Sequence, residues 1–243
     1  MLCDKKLEDI FKFTCKIVAT LPNKHQKIGT GLFVRFKNDD NGFQYGLLTA
    51  AHMAKVSNEP NTTLFVSDDN GMAKEIKLTS FGDFKWLTHD QTDLALFPIK
   101  EFCEGVSKEM FFPIDDEDLE ANPLPRDCEL TFFGFPMGLG LDYGFAPFTF
   151  HSHPSSGFLK LKAPDSEWIC FCLEIPCQTG CSGGPVFNLE YKSIKTQKSK
   201  KTDIICRGIL SGVIGDDNDI RIASVAPLFL LKDLINKVNN KAT

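Results

Sequence analysis

The chain has 243 residues, with 27 Lys and Arg against 32 Asp and Glu and a formal charge of -5. That balance gives no electrostatic support to general binding of nucleic acid or a membrane surface. No apolar run approaches the roughly 18 residues of a membrane span, and the length suits one large all-β unit or two small domains with real cores.

The first residues, MLCDKKLEDIFKF, mix charges into the apolar positions and do not form a secretory signal with a continuous apolar core. Residues 4–12 predict a short helix, with Asp4 as cap and Leu7, Ile10 and Phe11 on one face. Short strands separated by turn residues follow: CKIVATL, GTGLFVRF, QYGLLTAAH, TTLFVS, AKEIKLTSF and TDLALFPI. Residues 113–127, PIDDEDLEANPLPRD, are acidic, carry three prolines and lack strand periodicity, so they read as a linker. Strands resume with CELTFFGFP, FTFHSH, GFLKLKA, WICFCLEI, GGPVFN, DIICRGILSGVI and RIASVAP. The basic run KSIKTQKSKK, 192–201, reads as an exposed hairpin loop. Pro227 then opens a helix whose apolar face holds Leu228, Leu231, Ile235 and Val238. Short strands throughout, with helices only at the ends, argue for two β-barrels or a large sandwich.

Nine cysteines, an odd number at irregular spacing and without an export signal, read as reduced thiols of a cytoplasmic protein. Cys170, Cys172, Cys177 and Cys181 cluster, but their spacing lacks the second close pair of a structural zinc site. No metal and no cofactor are expected.

The segment CQTGCSGGPVF, 177–187, sets two nucleophile-capable side chains, Cys181 and Ser182, in a glycine-rich turn. Glycines permit the close backbone approach that a nucleophile turn needs if its own N–H groups are to meet a reacting carbonyl oxygen. A serine nucleophile also requires a base and an orienting acid. His52 directly follows an apolar strand end in LLTAAH, and Asp93 opens the apolar strand TDLALF. The order His, Asp, Ser is one of the known triad orders. The linker falls between Asp93 and Ser182, so the acid and base belong to one half and the nucleophile to the other.

At these residues the sequence resembles a known family. GTGLFV, LLTAAH, TDLALF, FFGFPMG and GCSGGPVFN look like the trypsin-like (chymotrypsin-fold) serine peptidases, nearest the minimal bacterial type related to Deg proteases. The resemblance spans about residues 28–227. It implies an all-β fold of two antiparallel six-stranded β-barrels with the active site in the cleft between them, a short N-terminal helix and a C-terminal helix. Residues 1–112 would form the barrel carrying His and Asp, 113–127 the linker, and 128–243 the barrel carrying Ser with the C-terminal helix. By the same resemblance Ser182 is the nucleophile, His52 the general base and Asp93 the acid that fixes the imidazole tautomer. The N–H groups of Gly180 and Ser182 form the oxyanion hole, and Ser211, Gly212 and Val213 bind substrate.

The frame Gly-x-Ser-Gly-Gly-Pro assigns attack to Ser182 and puts Cys181 at the "x" position. Secreted relatives carry an Asp there that pairs with a new N-terminus, so zymogen activation of that kind is not expected. Asp93 is preferred to Asp90 because it directly precedes the apolar strand, and His89 reads as a loop residue. His151 and His153 share a strand face. No acid stands near Pro176 and Cys177, where the pocket base should lie, so a small or medium apolar residue is expected before the scissile bond. The reading is a serine endopeptidase acting on protein or peptide substrates through an acyl-enzyme, with no nucleic-acid or membrane partner. The alternative is a latent or regulatory peptide-binding module of the same fold, activated by a partner protein. A zinc-stabilised scaffold is the third reading.

Overall fold

A computed structural model of the chain describes residues 10–37, 43–57, 61–83, 85–163, 166–175, 178–192, 201–214 and 222–239. The first half holds the short helix α1 (Ile10–Phe13) and the strands β1 (Thr14–Thr20), β2 (Gln26–Lys37) and β3 (Phe43–Thr49). Helix α2 (Ala51–Val56), β4 (Thr62–Ser67), β5 (Ala73–Lys77), β6 (Leu87–Thr88), β7 (Ala95–Ile99) and β8 (Phe112–Pro113) follow. The second half holds β9 (Leu130–Gly134), β10 (Phe148–Ser152), β11 (Leu159–Ala163) and β12 (Ser166–Leu173). It continues with β13 (Pro185–Lys192), β14 (Lys201–Ile214), β15 (Ile222–Pro227) and helix α3 (Leu231–Asn239).

The strands form two sheets. The first runs β5-β4-β1-β2-β3-β7-β6, with β8 added to β2, and the second runs β10-β9-β13-β14-β15-β12-β11. Every strand pair is antiparallel except β2 with β8. Each sheet exceeds the expected six strands: the first gains the two-residue β6 and β8, and the second has seven strands of five residues or more, with β10 and β11 at its edges.

Strand alternation explains why the sheets stay together. On β2, Phe33 points into the core of the first sheet, while Leu32, Val34 and Phe36 point the other way. On the second sheet Phe132, Val186, Leu210 and Val225 fill its own core, while Phe133, Phe187, Ile209 and Ala226 face the first sheet. Both faces of these strands are therefore apolar, and a third core forms between the sheets. Phe112 of the first sheet meets Phe187 of the second at a ring-centroid distance of 5.2 Å. Each such fully buried side chain contributes about 1.5–3 kcal/mol. Burial of this shared core holds the two halves against each other.

The expected linker is tied down: Ile114 and Leu119 enter the core between the sheets, the Ile114 N–H donates to the Arg35 carbonyl at 2.8 Å, and an acidic residue adds two bonds. Asp118, buried in the 3₁₀ turn Asp116–Leu119, accepts from the Asp115 N–H at 2.8 Å and from the Cys206 N–H of β14 at 2.6 Å. Its acidic character has a structural use that composition alone did not reveal.

The C-terminal helix forms as expected, preceded by a 3₁₀ turn at Leu228–Leu230, and buries Leu231 and Leu234. At the N-terminus a four-residue helix, Ile10–Phe13, is described; Asp4 and Leu7 of the expected helix lie outside the described residues. The basic run joins β13 to β14, whose ends pair Lys192 with Lys201; residues 193–200 lie outside the described residues. Helix α2 was not anticipated, because six residues are too few to show a helical period.

Candidate active site

Strand β3 delivers the chain to α2, and His52 stands in the first turn of that helix. The turn between β6 and β7 brings Asp93 against it. Asp93 Oδ1 accepts from the His52 backbone N–H at 2.9 Å, and Oδ2 accepts from His52 Nδ1–H at 2.7 Å. The Asp93 carbonyl also accepts from the Ala51 N–H at 3.2 Å. Asp93 is buried, whereas the His52 side chain is 48% exposed. A carboxylate facing Nδ1 keeps the proton there and leaves Nε2 as the free acceptor, the tautomer a general base needs. Asp90 points elsewhere, with its carboxylate 3.2 Å from Lys237 Nζ of α3.

The Asp93 turn is braced on two further sides. Its residues Gln91 and Thr92 bond to both backbone groups of Ile169 on β12, at 2.7 and 2.8 Å. His89, expected as a plain loop residue, is buried in this turn. Its Nδ1 accepts from the Gln91 N–H at 3.0 Å, which places the ring proton on Nε2, 3.0 Å from Asp233 Oδ2 of α3. The C-terminal helix therefore reaches the turn that carries Asp93.

Residues 178–184 form the other side of the site. Thr30 of β2 grips this turn with two of its groups and ties it to β3 with a third. Its N–H donates to the Ser182 carbonyl at 2.7 Å, its Oγ1 donates to the Gly180 carbonyl at 2.8 Å, and its own carbonyl accepts from Thr49 Oγ1 at 2.8 Å. Thr49 ends β3, three residues before His52, so two consecutive hydrogen bonds link the Ser182 backbone to the strand that delivers His52. Gly183 lies so close that a Cβ there would overlap the Thr30 carbonyl oxygen and Thr49 Oγ1, and its φ is 89°. Only glycine fits that position without strain.

The peptide directions in this turn are fixed by anchors. The Thr179 carbonyl accepts from the Met137 N–H at 2.7 Å, and the Cys181 carbonyl accepts from the Gly184 N–H at 2.9 Å. In a trans peptide the next N–H points opposite to the carbonyl. The N–H groups of Gly180 and Ser182 are thereby turned away from these anchors, and neither donates to a protein acceptor among the described residues. Ser182 is half-buried, whereas Cys181 is 2% exposed and packs in the core of the second sheet.

A cavity of about 180 Å³ adjoins the turn, lined by Phe132, Phe150, Ile175, Cys181, Leu210 and Ala223, with His151 and Gln178 at its polar side. The Phe132 and Phe150 rings stack at 4.8 Å. Of the residues expected to bind substrate, Ser211 is buried with its hydroxyl 2.8 Å from that of Ser224. Gly212 has open space where a Cβ would stand, and Val213 is 41% exposed. His151 lies beside Thr131 and Glu129, and His153 beside Glu174. Among the described residues no group of three His, Cys, Asp or Glu could hold a metal ion, and no disulfide joins two cysteines. Cys177 and Pro176 lie outside the described residues.

The residues of this site that sequence reasoning passed over are Thr30, Thr49 and Met137, although each stands in a motif, GTGLFV, LLTAAH and FFGFPMG respectively.

The sequence matches no protein-family profile and no curated protein. Solved structures do match. The protease domain of MamO from Magnetospirillum magneticum is 14% identical with a TM-score of 0.60, covering 94% of this chain and 98% of its own. An inactive serine-to-alanine mutant of Rv3671c from M. tuberculosis is 14% identical with a TM-score of 0.59, covering 96% and 90%. The HtrA-type protease AlgW, bound to a tripeptide, is 11% identical with a TM-score of 0.61, covering 96% and 62%. At these identities the likeness speaks for the fold, and among the described residues no helix is long and apolar enough to cross a membrane. The chain therefore has the trypsin-like double β-barrel fold of Deg/HtrA-type serine protease domains.

Proposed function

We propose that the chain is a serine endopeptidase that cleaves protein or peptide substrates with Ser182, His52 and Asp93. The observation that carries this is the double contact of Asp93 with His52, at 2.7 Å to Nδ1 and 2.9 Å to the backbone N–H. It leaves Nε2 free as the base. His52 takes the Ser182 hydroxyl proton as Oγ attacks the scissile carbonyl carbon. The imidazolium then gives that proton to the leaving amine as the C–N bond breaks. Water, activated by the same Nε2, releases the acyl group from Ser182 and restores the hydroxyl. The N–H groups of Gly180 and Ser182 receive the oxyanion. Neither donates to an acceptor among the described residues, which supports a hole that is formed without a partner and so favours a constitutive enzyme over a latent module.

The apolar cavity beside the turn supports a small or medium apolar residue before the scissile bond, with Ser211, Gly212 and Val213 on the strand that pairs with the substrate backbone. The odd number of cysteines at irregular spacing supports action in a reducing compartment such as the cytoplasm. The two sheets act as the units 1–112 and 128–243 on either side of the cleft, and the chemistry calls for no cofactor. Cleavage-site profiling with a peptide library tests the reading. Apolar residues before the cut are expected, cleavage only after Arg would overturn the pocket assignment, and no cleavage of any peptide would overturn the activity.

A further inference from the structure

Strand β1 places a lysine where an apolar residue would be ordinary. Lys16 is 8% exposed, between Cys15 and Ile17, both fully buried. Its ammonium crosses from the first sheet to the second, where Nζ donates to the Gly138 carbonyl at 2.6 Å. The amine also lies 5.7 Å from the centre of the Phe65 ring; burial holds its pKa below the usual lysine range, partly opposed by the Asp142 carboxylate. Burying an ammonium is costly, and a position with no role for the charge would be filled more cheaply by an apolar side chain.

The Gly138 carbonyl belongs to a tight turn. Met137 and Gly138 have φ values of 52° and 78°, the Gly138 N–H closes on the Phe135 carbonyl at 2.9 Å, and a Cβ at Gly138 would collide with Ile28. One residue before the carbonyl that Lys16 holds, the Met137 N–H donates to the Thr179 carbonyl at 2.7 Å. That bond sets the direction of the Thr179–Gly180 peptide and hence of the Gly180 N–H. Lys16 is also the cross-strand partner of Thr30, which holds the Gly180 carbonyl and receives the Phe135 N–H. Two adjacent side chains of the first sheet thus hold both ends of the Gly180 residue, one directly and one through the Pro136–Gly138 turn.

We propose that Lys16 is a positioning residue for the oxyanion hole: it holds the Gly138 carbonyl so that the Met137 N–H keeps the Gly180 N–H aimed at the cleft. This rests on the peptidase reading above. Because the contact is made to the enzyme and not to substrate, its loss should act on the transition state and spare substrate binding.

The test uses Lys16→Met, which keeps the stem and removes the donor, with Lys16→Arg as the conservative rescue. The expected result in Lys16→Met is a kcat about 10- to 100-fold lower with KM within about two-fold. Affinity for a peptide boronate, whose tetrahedral adduct fills the hole, should fall by the same factor as kcat, and Lys16→Arg should recover most of both. Amide hydrogen exchange at Met137, measured in a Ser182→Ala background, needs no turnover and should become faster in Lys16→Met while exchange in the sheet cores is unchanged. Unaltered Met137 exchange in the folded variant would overturn the proposal, as would faster exchange with unaltered kcat. A parent chain without turnover or boronate binding, whose Met137 exchange still responds to Lys16→Met, would sink the peptidase reading and leave the strap standing. If Lys16→Met does not fold, Lys16→Gln gives the same readings.

Discussion

The fully buried Thr30 offers a measurable coupling between fold and site. Thr30→Val keeps the side-chain shape and removes Oγ1, which donates to the Gly180 carbonyl at 2.8 Å and accepts from the Phe135 N–H at 3.3 Å. The first bond is short and buried, so leaving that carbonyl unpaired costs about 1–3 kcal/mol. The second is at the limit of useful length and adds about 0.5 kcal/mol at most. The total is about 1–3.5 kcal/mol, on a domain whose whole stability is of order 5–15 kcal/mol. Thr30→Ser keeps the hydroxyl, loses one methyl group, and should cost about 1 kcal/mol. Urea denaturation of both variants checks this, because an unchanged slope with a lower midpoint isolates a change in stability. With a slope of about 3 kcal/mol per molar, the valine midpoint should fall by roughly 0.3–1.2 M and the serine midpoint by about a third of a molar. The Gly180 carbonyl precedes the Cys181–Ser182 segment, so kcat should fall further in the valine variant than in the serine variant. Equal stability and equal kcat in the two would refute the claim that this hydroxyl holds the turn.

Other perturbations follow from the same contacts. Asp93→Asn should lower kcat about 10⁴-fold with little change in KM, because the His52 backbone N–H keeps the amide oxygen and turns the NH₂ toward Nδ1; steady-state kinetics reads this, and a loss under ten-fold would contradict the tautomer argument. His89→Leu should lower kcat and stability together, and His89→Asn, which restores an acceptor for the Gln91 N–H, should recover part of both when measured by kinetics and denaturation. Burial pushes the Cys15 thiol far above the ordinary thiol range and Cys170 up to about 12. The folded chain then keeps protons that the unfolded chain releases, so the stability these thiols contribute is present below about pH 9 and lost as pH rises. In Cys15→Ala the alkaline fall, followed by denaturation at several pH values, should be shallower by about one proton, roughly 1.4 kcal/mol per pH unit.

Much of this architecture was legible because the sequence states it in periods and punctuation. The strands alternate, Gly and Pro mark the turns, and His52, Asp93 and Ser182 stand beside quoted motifs in a recognisable order. The Asp93–His52 contact agrees with that order. What could not be read is contact between distant strands. Lys16 looks like any charged residue in a strand, and only the fold shows that its partner is Gly138, far along the chain. His89 is similar: its burial depends on α3, which arrives from the other end of the chain. Cavity lining was also out of reach, because Phe132, Phe150 and Ala223 meet only after three strands have been placed. The choice between Asp90 and Asp93 rested on position relative to a strand; the ion pair of Asp90 with Lys237, a residue from the other end of the chain, could not be read from that position.

The most direct test of the account is labelling of the purified chain with a fluorophosphonate, followed by the Ser182→Ala and Cys181→Ala variants. Covalent labelling of the parent chain at Ser182 is predicted, with labelling and peptide hydrolysis both abolished in Ser182→Ala and largely kept in Cys181→Ala, where the buried thiol takes no part in attack. Labelling that survives Ser182→Ala and disappears in Cys181→Ala would show that the nucleophile is the cysteine and contradict the mechanism.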